Sequence, residues 1–183
     1  MKKYTQPINL KCYDVIKDFF KGELEKLNDK DYYSFVHHGN PEINSLFKNE
    51  MEQYGLDPYQ SWLIFKRKNM CEFNYDDFDL HTDIVHISLV IPIEGYTNAP
   101  MIWVEGDYDI VTKLNEENLE YGHIKWKGKP TAIHKEDIVR PTLCRVDIPH
   151  TARSDIYSNY RTVATVRFKV ALEFEEICAK FGY

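Results

Sequence analysis

The chain has 183 residues, of which 43% are hydrophobic and 28% charged, a composition typical of one soluble globular domain rather than of a disordered, collagen-like or disulfide-stapled chain. Its 23 basic and 29 acidic residues give a net charge of −6, which disfavours general nucleic-acid binding because that activity needs a basic face. The four cysteines are scattered without a CxxC pair, and the sequence has neither a signal peptide nor an apolar run of membrane-spanning length. We therefore expect reduced thiols and a cytoplasmic location, in the host cytoplasm if the chain is viral.

Apolar side chains three and four residues apart predict three helices. The first covers Tyr13–Leu27. The second begins at Pro41, because proline is favoured in a first helical turn, and ends near Gly55. The third is a short helix over Ala171–Phe181.

Between the second and third helices the period of the apolar side chains changes to two, which is the period of β-strands. The predicted strands are Ser61–Lys66, His81–Ile93, Pro100–Glu105, Gly122–Trp126, Thr131–His134, Thr142–Pro149 and Arg161–Val170. No strand–helix–strand alternation is present, so we expect an antiparallel sandwich or barrel. The predicted fold is one mainly β (α+β) domain over 1–183, with a helical part at 1–60, a β core at 61–170 and a closing helix at 171–183.

The triplet His81-Thr82-Asp83 opens the longest predicted strand. Residues i and i+2 of a strand point to the same face, so the imidazole and the carboxylate are expected side by side. The same parity continues in apolar residues, and this face is therefore predicted to point inward; these residues are Val85, Ile87, Leu89, Ile91 and Ile93. A buried carboxylate is costly unless it is paired or binds a metal.

His150 follows a second set of alternating apolar residues, which are Cys144, Val146 and Ile148, and is expected on the same face as they are. Two strands are thus predicted to present metal-binding side chains at the ends of inward faces. The simpler alternatives are a hydrogen-bonded His–Asp pair and a satisfied histidine beside a turn proline. His86 is predicted to lie on the opposite face of its strand.

His134 and Glu136 form a rival His-x-Glu pair, but they lie too close to His150 in sequence for ligands that reach one site from separate strands. Binding residues concentrate on loops carried by a rigid scaffold, so we expect substrate recognition from three connecting segments. These segments are Asp76–Leu80, Gly106–Tyr121 and Thr151–Tyr160.

The His-x-Asp pair, the distal His after a proline and Arg161 eleven residues further on together resemble the Fe(II)/2-oxoglutarate-dependent dioxygenases. The resemblance covers about residues 61–170, and the chain looks most like the short, single-domain members from phages and bacteria. The segment VDIPH…YRTVATVRF is similar to the final strands of that family. The resemblance implies a double-stranded β-helix, or jelly roll, with N-terminal helices and a short C-terminal helix.

The same resemblance implies that His81, Asp83 and His150 bind Fe(II), because two imidazoles and one carboxylate leave three metal positions open. It implies that Arg161 holds the far carboxylate of the cosubstrate 2-oxoglutarate, for which a planar guanidinium is well suited. The implied reaction is O₂-dependent hydroxylation of a small molecule or peptide, with release of succinate and CO₂. No membrane partner is expected.

The final strand departs from the family pattern in two ways. Val163 stands where many members have Ser or Thr, so the second anchor of the far carboxylate is unassigned. Arg167 shares the parity of Arg161, which requires either a bulge or a position beyond the barrel end. Arg153 is a rival clamp, and the alternative functions are a cupin-like metal protein without 2-oxoglutarate chemistry and a non-catalytic binding module.

Overall fold

A computed structural model of the chain describes residues 3–26, 32–68, 81–83, 85–97, 100–114, 120–152, 160–169 and 172–183. Among them are three helices, α1 (Tyr13–Glu25), α2 (Pro41–Glu52) and α3 (Phe174–Lys180), close to their predicted positions. The side chain of Asn40 caps α2 by accepting a hydrogen bond from the backbone N–H of Ile43 at 2.8 Å. None of the helices in these residues combines the length and apolar character needed to cross a membrane.

The described residues also form twelve strands. They are β1 (Thr5–Pro7), β2 (Tyr32–His37), β3 (Trp62–Lys68), β4 (His81–Asp83), β5 (Ile87–Glu94), β6 (Met101–Glu105), β7 (Tyr108–Leu114), β8 (Glu120–Trp126), β9 (Thr131–Glu136), β10 (Thr142–Arg145), β11 (His150–Ala152) and β12 (Tyr160–Val166). They make two antiparallel sheets of six strands each, in the orders β1-β10-β5-β12-β3-β2 and β7-β8-β4-β11-β6-β9. This arrangement is a β-sandwich and confirms the predicted mainly β class.

In two parts of the chain, consecutive strands alternate between the two sheets. The chain changes sheet at each step from β3 to β6 and again from β9 to β12, while β6 to β9 all lie in the second sheet. The hairpin β7–β8 lies between β6 and β9 in sequence. It occupies part of the segment that the sequence predicts as a loop over Gly106–Tyr121, so that prediction is wrong for most of its length.

The prediction of a single strand over His81–Ile93 is wrong. The chain bends at Val85 and His86, which places β4 in the second sheet and β5 in the first. The predicted inward face is also wrong for β5, because Leu89 and Ile91 pack with the helices while Ser88 and Val90 line the space between the sheets. Periodicity cannot assign the faces of β5, because both faces are buried.

The predicted strand Thr142–Pro149 divides in the same way. β10 lies in the first sheet, the chain then crosses to the second, and β11 begins at His150. Cys144, Val146 and Ile148 nevertheless all belong to the apolar cluster between the sheets, on the inward side that their alternation predicts. Two crossing segments lie side by side: the N–H of Asp83 donates to the carbonyl of Val146 at 2.7 Å, and the N–H of Val146 donates to the carbonyl of His86 at 3.0 Å.

The larger apolar core lies between the three helices and the first sheet. It contains 22 of the buried residues that the structure describes, including Ile16 and Phe20 of α1 and Phe47 of α2. Buried Glu50 joins α2 to the start of α1 by accepting hydrogen bonds from the backbone N–H groups of Lys11 at 2.6 Å and Cys12 at 2.9 Å. The three described cysteines are buried free thiols, as the sequence predicts: Cys12, Cys144 and Cys178.

Candidate functional site

A cavity with an empty volume of about 700 Å³, partly open to solvent, lies between the two sheets. The four residues that the sequence singles out all line it, with His81, Asp83 and His150 on the second sheet and Arg161 on the first. Residues that are 80 positions apart in sequence therefore share one cavity.

The two histidines come from adjacent strands. His81 of β4 and His150 of β11 are direct partners in the antiparallel register. Their ring centroids are 4.5 Å apart, with an angle of 53° between the planes. Directly opposed residues on neighbouring strands share a face of the sheet, so both imidazoles point towards the cavity.

Asp83 lies two residues after His81 on the same face. Its Oδ1 is 3.8 Å from His81 Nε2, and its Oδ2 is 3.2 Å from Nη2 of Arg167. Arg167 follows the end of β12, and the pairing of β12 with β5 shifts register between Thr162 and Val163. The strand thus contains a register shift, and Arg167 lies beyond its end, the two features expected of an arginine with the parity of Arg161. The Arg167 guanidinium balances the charge of the Asp83 carboxylate.

The side chains of the three predicted ligands do not converge on one point. Among the described residues, no group of three His, Cys, Asp or Glu side chains is arranged so that it could hold a metal ion. The geometric reason is visible at Asp83, whose carboxylate is shared between His81 and Arg167. A metal that enters this site would have to draw the carboxylate further towards the histidines.

His150 has a defined tautomer. Its ring is 4% exposed, and its Nδ1 lies 2.9 Å from the carbonyl oxygen of Ile148, which can only accept, so Nδ1 carries the proton. Burial lowers the pKa of His150 to about 4, the charge of nearby His81 adds to this effect, and Asp83 opposes it. The imidazole is therefore neutral at pH 7, with its lone pair on Nε2.

Arg161 supplies a positive charge to the opposite wall. It is 4% exposed and lines the cavity together with Val163 and Thr165 from the same face of β12. Burial raises the pKa of the Cys144 thiol, and the charge of Arg161 acts against that rise. The rival clamp Arg153 lies outside the described residues.

The hydroxyl groups of the wall come from the first sheet. Ser88 and Thr165 both line the cavity, and Thr165 Oγ1 donates to the carbonyl of Leu63 at 3.3 Å. Val163 contributes only apolar surface to this wall.

His86 and His134 do not line this cavity. His134 and Glu136 form a pair with 3.1 Å between Nε2 and Oε2, and the His134 ring stacks on Tyr4 with centroids 5.1 Å apart. His86 is exposed and lies 3.2 Å from Glu173; it falls at the bend between β4 and β5, so the predicted assignment to a strand face does not apply to it. Of the three predicted recognition segments, residues 76–80 and 153–159 lie outside the described residues.

Sequence reasoning did not find the contribution of β8. This strand pairs with β4 so that Tyr121 lies opposite Asp83 and His123 lies opposite His81. Gly122 between them is required by the close approach of the strands, because a Cβ there would lie 2.2 Å from Thr82 Oγ1. Cross-strand register is not readable from a single sequence, so no local signal could have assigned these neighbours.

Comparison with known proteins adds little to this picture. The sequence matches no protein-family model, and a search of curated proteins finds no match. Among solved structures, the chain is similar to the crystal structure of AviO1 from Streptomyces viridochromogenes Tue57, with a TM-score of 0.44 and 12% sequence identity. That comparison covers 93% of this chain and 92% of the other. A similarity of this size carries no argument about the site.

Proposed function

We propose that the protein is an Fe(II)- and 2-oxoglutarate-dependent oxygenase built on a double-stranded β-helix. The supporting observation is that two histidines and one carboxylate on one wall of a cavity face a buried arginine on the other wall. The alternation of strands between the sheets supports the jelly-roll topology, since β3, β5, β10 and β12 lie in one sheet and β4, β6, β9 and β11 in the other.

The donor set fits Fe(II), because two imidazoles and a carboxylate on one face leave three positions open. His150 is held ready by its Nδ1–H bond to Ile148, which fixes the ring and leaves Nε2 to bind. The ion pair of Asp83 with Arg167 engages Oδ2 and directs Oδ1 towards His81. When bound, Fe(II) supplies the redox chemistry that couples decarboxylation of 2-oxoglutarate to hydroxylation of the substrate.

Arg161 is the residue that would hold the far carboxylate of 2-oxoglutarate. A guanidinium can hold a carboxylate through two parallel hydrogen bonds, and burial strengthens such a pair. Val90, Met101 and Val163 line the cavity with apolar surface that suits the methylene groups of the cosubstrate and excludes water. The Ser88 and Thr165 hydroxyls are the candidates in this wall for the missing second anchor.

The experiment is an anaerobic titration with Fe(II), followed by 2-oxoglutarate and then by air. We expect a visible absorption change that requires both additions, and succinate release once O₂ enters. His150→Ala should abolish metal binding, and Arg161→Ala should leave metal binding largely intact while succinate production is lost. The matched control is His86→Ala, since His86 is an exposed histidine outside the cavity. Absence of metal and 2-oxoglutarate binding in the wild-type protein would overturn the proposal.

One observation favours the non-catalytic alternative. The Asp83–Arg167 ion pair satisfies the carboxylate without a metal, and no three donors converge in the described part of the chain. A binding module of this kind predicts no bound metal after purification under reducing, iron-supplemented conditions. A cupin-like protein predicts metal binding that neither 2-oxoglutarate nor Arg161→Ala changes.

A further inference from the structure

The strand β7 forms one edge of the second sheet. It pairs with β8 over all seven of its residues without a shift of register, and no described strand lies on its other side. About half of the backbone N–H and C=O groups of such a strand point away from its partner and can pair with a further strand. β7 is therefore a regular edge onto which another strand can be added.

This edge is also unusually apolar. Ile110, Val111 and Leu114 are 53%, 37% and 59% exposed, and they are three of the eight large apolar side chains exposed in the described residues. The other five are dispersed over the helices, the connecting segments and the C-terminus. Natural edge strands are normally protected by short length, proline, a bulge or charged side chains. β7 has none of the first three features, and its charged residues are Asp109 and Lys113.

Two of the three other edge strands differ from β7, whereas the third, β2, pairs with β3 over six residues without a shift of register. At the far side of the same sheet, the pairing of β9 with β6 shifts register between Trp103 and Val104. Tyr4 stacks on His134 of β9, and the Thr5 hydroxyl donates to Glu136 of the same strand, so the N-terminal segment covers this edge. In the first sheet, β1 is only three residues long.

We propose that two copies of this chain associate through β7, antiparallel and centred on Val111. In this register, each Asp109 lies opposite Lys113 of the second copy, so two pairs of opposite charge form by symmetry. On the other face of the strand, Tyr108 lies opposite Leu114, and Ile110 lies opposite Thr112. Asp109 also contacts Lys127 Nζ at 2.7 Å in its own chain, yet its side chain remains 63% exposed and accessible to a second cation.

The association would join the two second sheets into one continuous sheet of twelve strands. A two-fold interface of this kind uses the same surface on both copies and closes after two, so it predicts a dimer and no larger assembly. It also accounts for the three exposed apolar side chains that this one strand carries. Only β8 separates this interface from β4, which carries His81 and Asp83.

The test uses charge reversal and measures mass in solution by sedimentation velocity over a range of protein concentrations. The wild-type chain is expected to dimerise. Lys113→Asp places aspartate opposite aspartate twice and should raise the dimer dissociation constant by about tenfold or more. The double variant Asp109→Lys/Lys113→Asp restores opposite charges and should recover the dimer, since the exposed Lys127 contact that it loses contributes little.

Circular dichroism and melting temperature serve as controls that each variant is folded. A wild-type chain that stays monomeric at every concentration would overturn the proposal, as would a dimer that Lys113→Asp does not weaken.

A cysteine pair tests the register itself. Only residue 111 lies opposite its own counterpart, so Val111→Cys should form an intermolecular disulfide with oxidised glutathione as the two-electron oxidant. Ile110→Cys is the matched control and should crosslink much more slowly, because it lies opposite Thr112. Both variants are made with Cys71→Ser, since the three described cysteines are buried. Equal crosslinking of the two variants would exclude this register.

Discussion

The two sides of the first sheet are built for different purposes. Among the residues that the structure describes, 22 buried residues form a continuous apolar core on the helix side. On the side that faces the second sheet, the buried apolar cluster has seven described members, and the space beside it holds the cavity with His81, His150 and Arg161. In a simple β-sandwich the space between the sheets is the main core. Here the helices supply that core instead, which leaves the space between the sheets available for polar side chains.

β5 shows this division within a single strand. Leu89 and Ile91 are fully buried against the helices, whereas Ser88 and Val90 line the cavity. Every second residue therefore stabilises the fold, and the residues between them shape the site. Substitutions on the two faces should accordingly differ in their effect on stability and on binding.

The largest expected effect is on the helix side. Ile91→Ala should lower the free energy of unfolding by about 3–5 kcal/mol, because Ile91 is fully buried and its loss leaves a closed void. Met101→Ala should cost about 2 kcal/mol, because Met101 borders an existing cavity and its loss only enlarges that cavity. Urea denaturation of both variants measures the difference. Equal losses would contradict the difference between the helix-side core and the space between the sheets, where Met101 of β6 faces the first sheet.

The next effect is a pH dependence that originates in the cavity. The pKa of His150 is about 4 in the folded chain and about 6.5 when unfolded, so between these values the unfolded state binds more protons. The free energy of unfolding of metal-free protein should therefore fall by about 3 kcal/mol as the pH falls from 6.5 to 4. Above pH 6.5, His150 should not make the free energy of unfolding depend on pH.

Denaturation midpoints in chelator-treated protein measure this dependence. His150→Gln should remove it, whereas His86→Gln, which changes an exposed histidine, should not. An identical pH dependence in wild type and His150→Gln would show that His150 is not buried in its neutral form.

The smallest effect concerns the ion pair at the cavity wall. A double-mutant cycle with Asp83→Asn and Arg167→Gln should give a coupling energy of about 1 kcal/mol in the metal-free protein, because both side chains are partly exposed. Binding of Fe(II) should change this coupling, since the metal and Arg167 share one carboxylate. A coupling of zero would mean that the pair does not form in solution.

The sequence was sufficient for the parts of the site that follow local rules. His81 and Asp83 share a face because strand side chains alternate, and both line the same cavity as Val146 and His150. The helices followed from their spacing, and the start of α2 from Pro41. Such features depend on neighbours only a few residues away.

The remaining features depend on contacts that a single sequence does not display. The break between β4 and β5 falls within a run of β-forming residues, so nothing local separates the two strands. The Asp83–Arg167 contact joins residues 84 positions apart, and the pairing of Tyr121 and His123 with β4 depends on register. β7 went unpredicted because charged residues interrupt its apolar side chains, which is typical of an exposed edge.

The most direct test is a crystal structure of the protein grown with Mn(II), a redox-stable substitute for Fe(II), and 2-oxoglutarate. We expect an anomalous peak within bonding distance of His81, Asp83 and His150, with the far carboxylate of 2-oxoglutarate on Arg161. A cavity without metal, in which Asp83 remains bound to Arg167 alone, would contradict it.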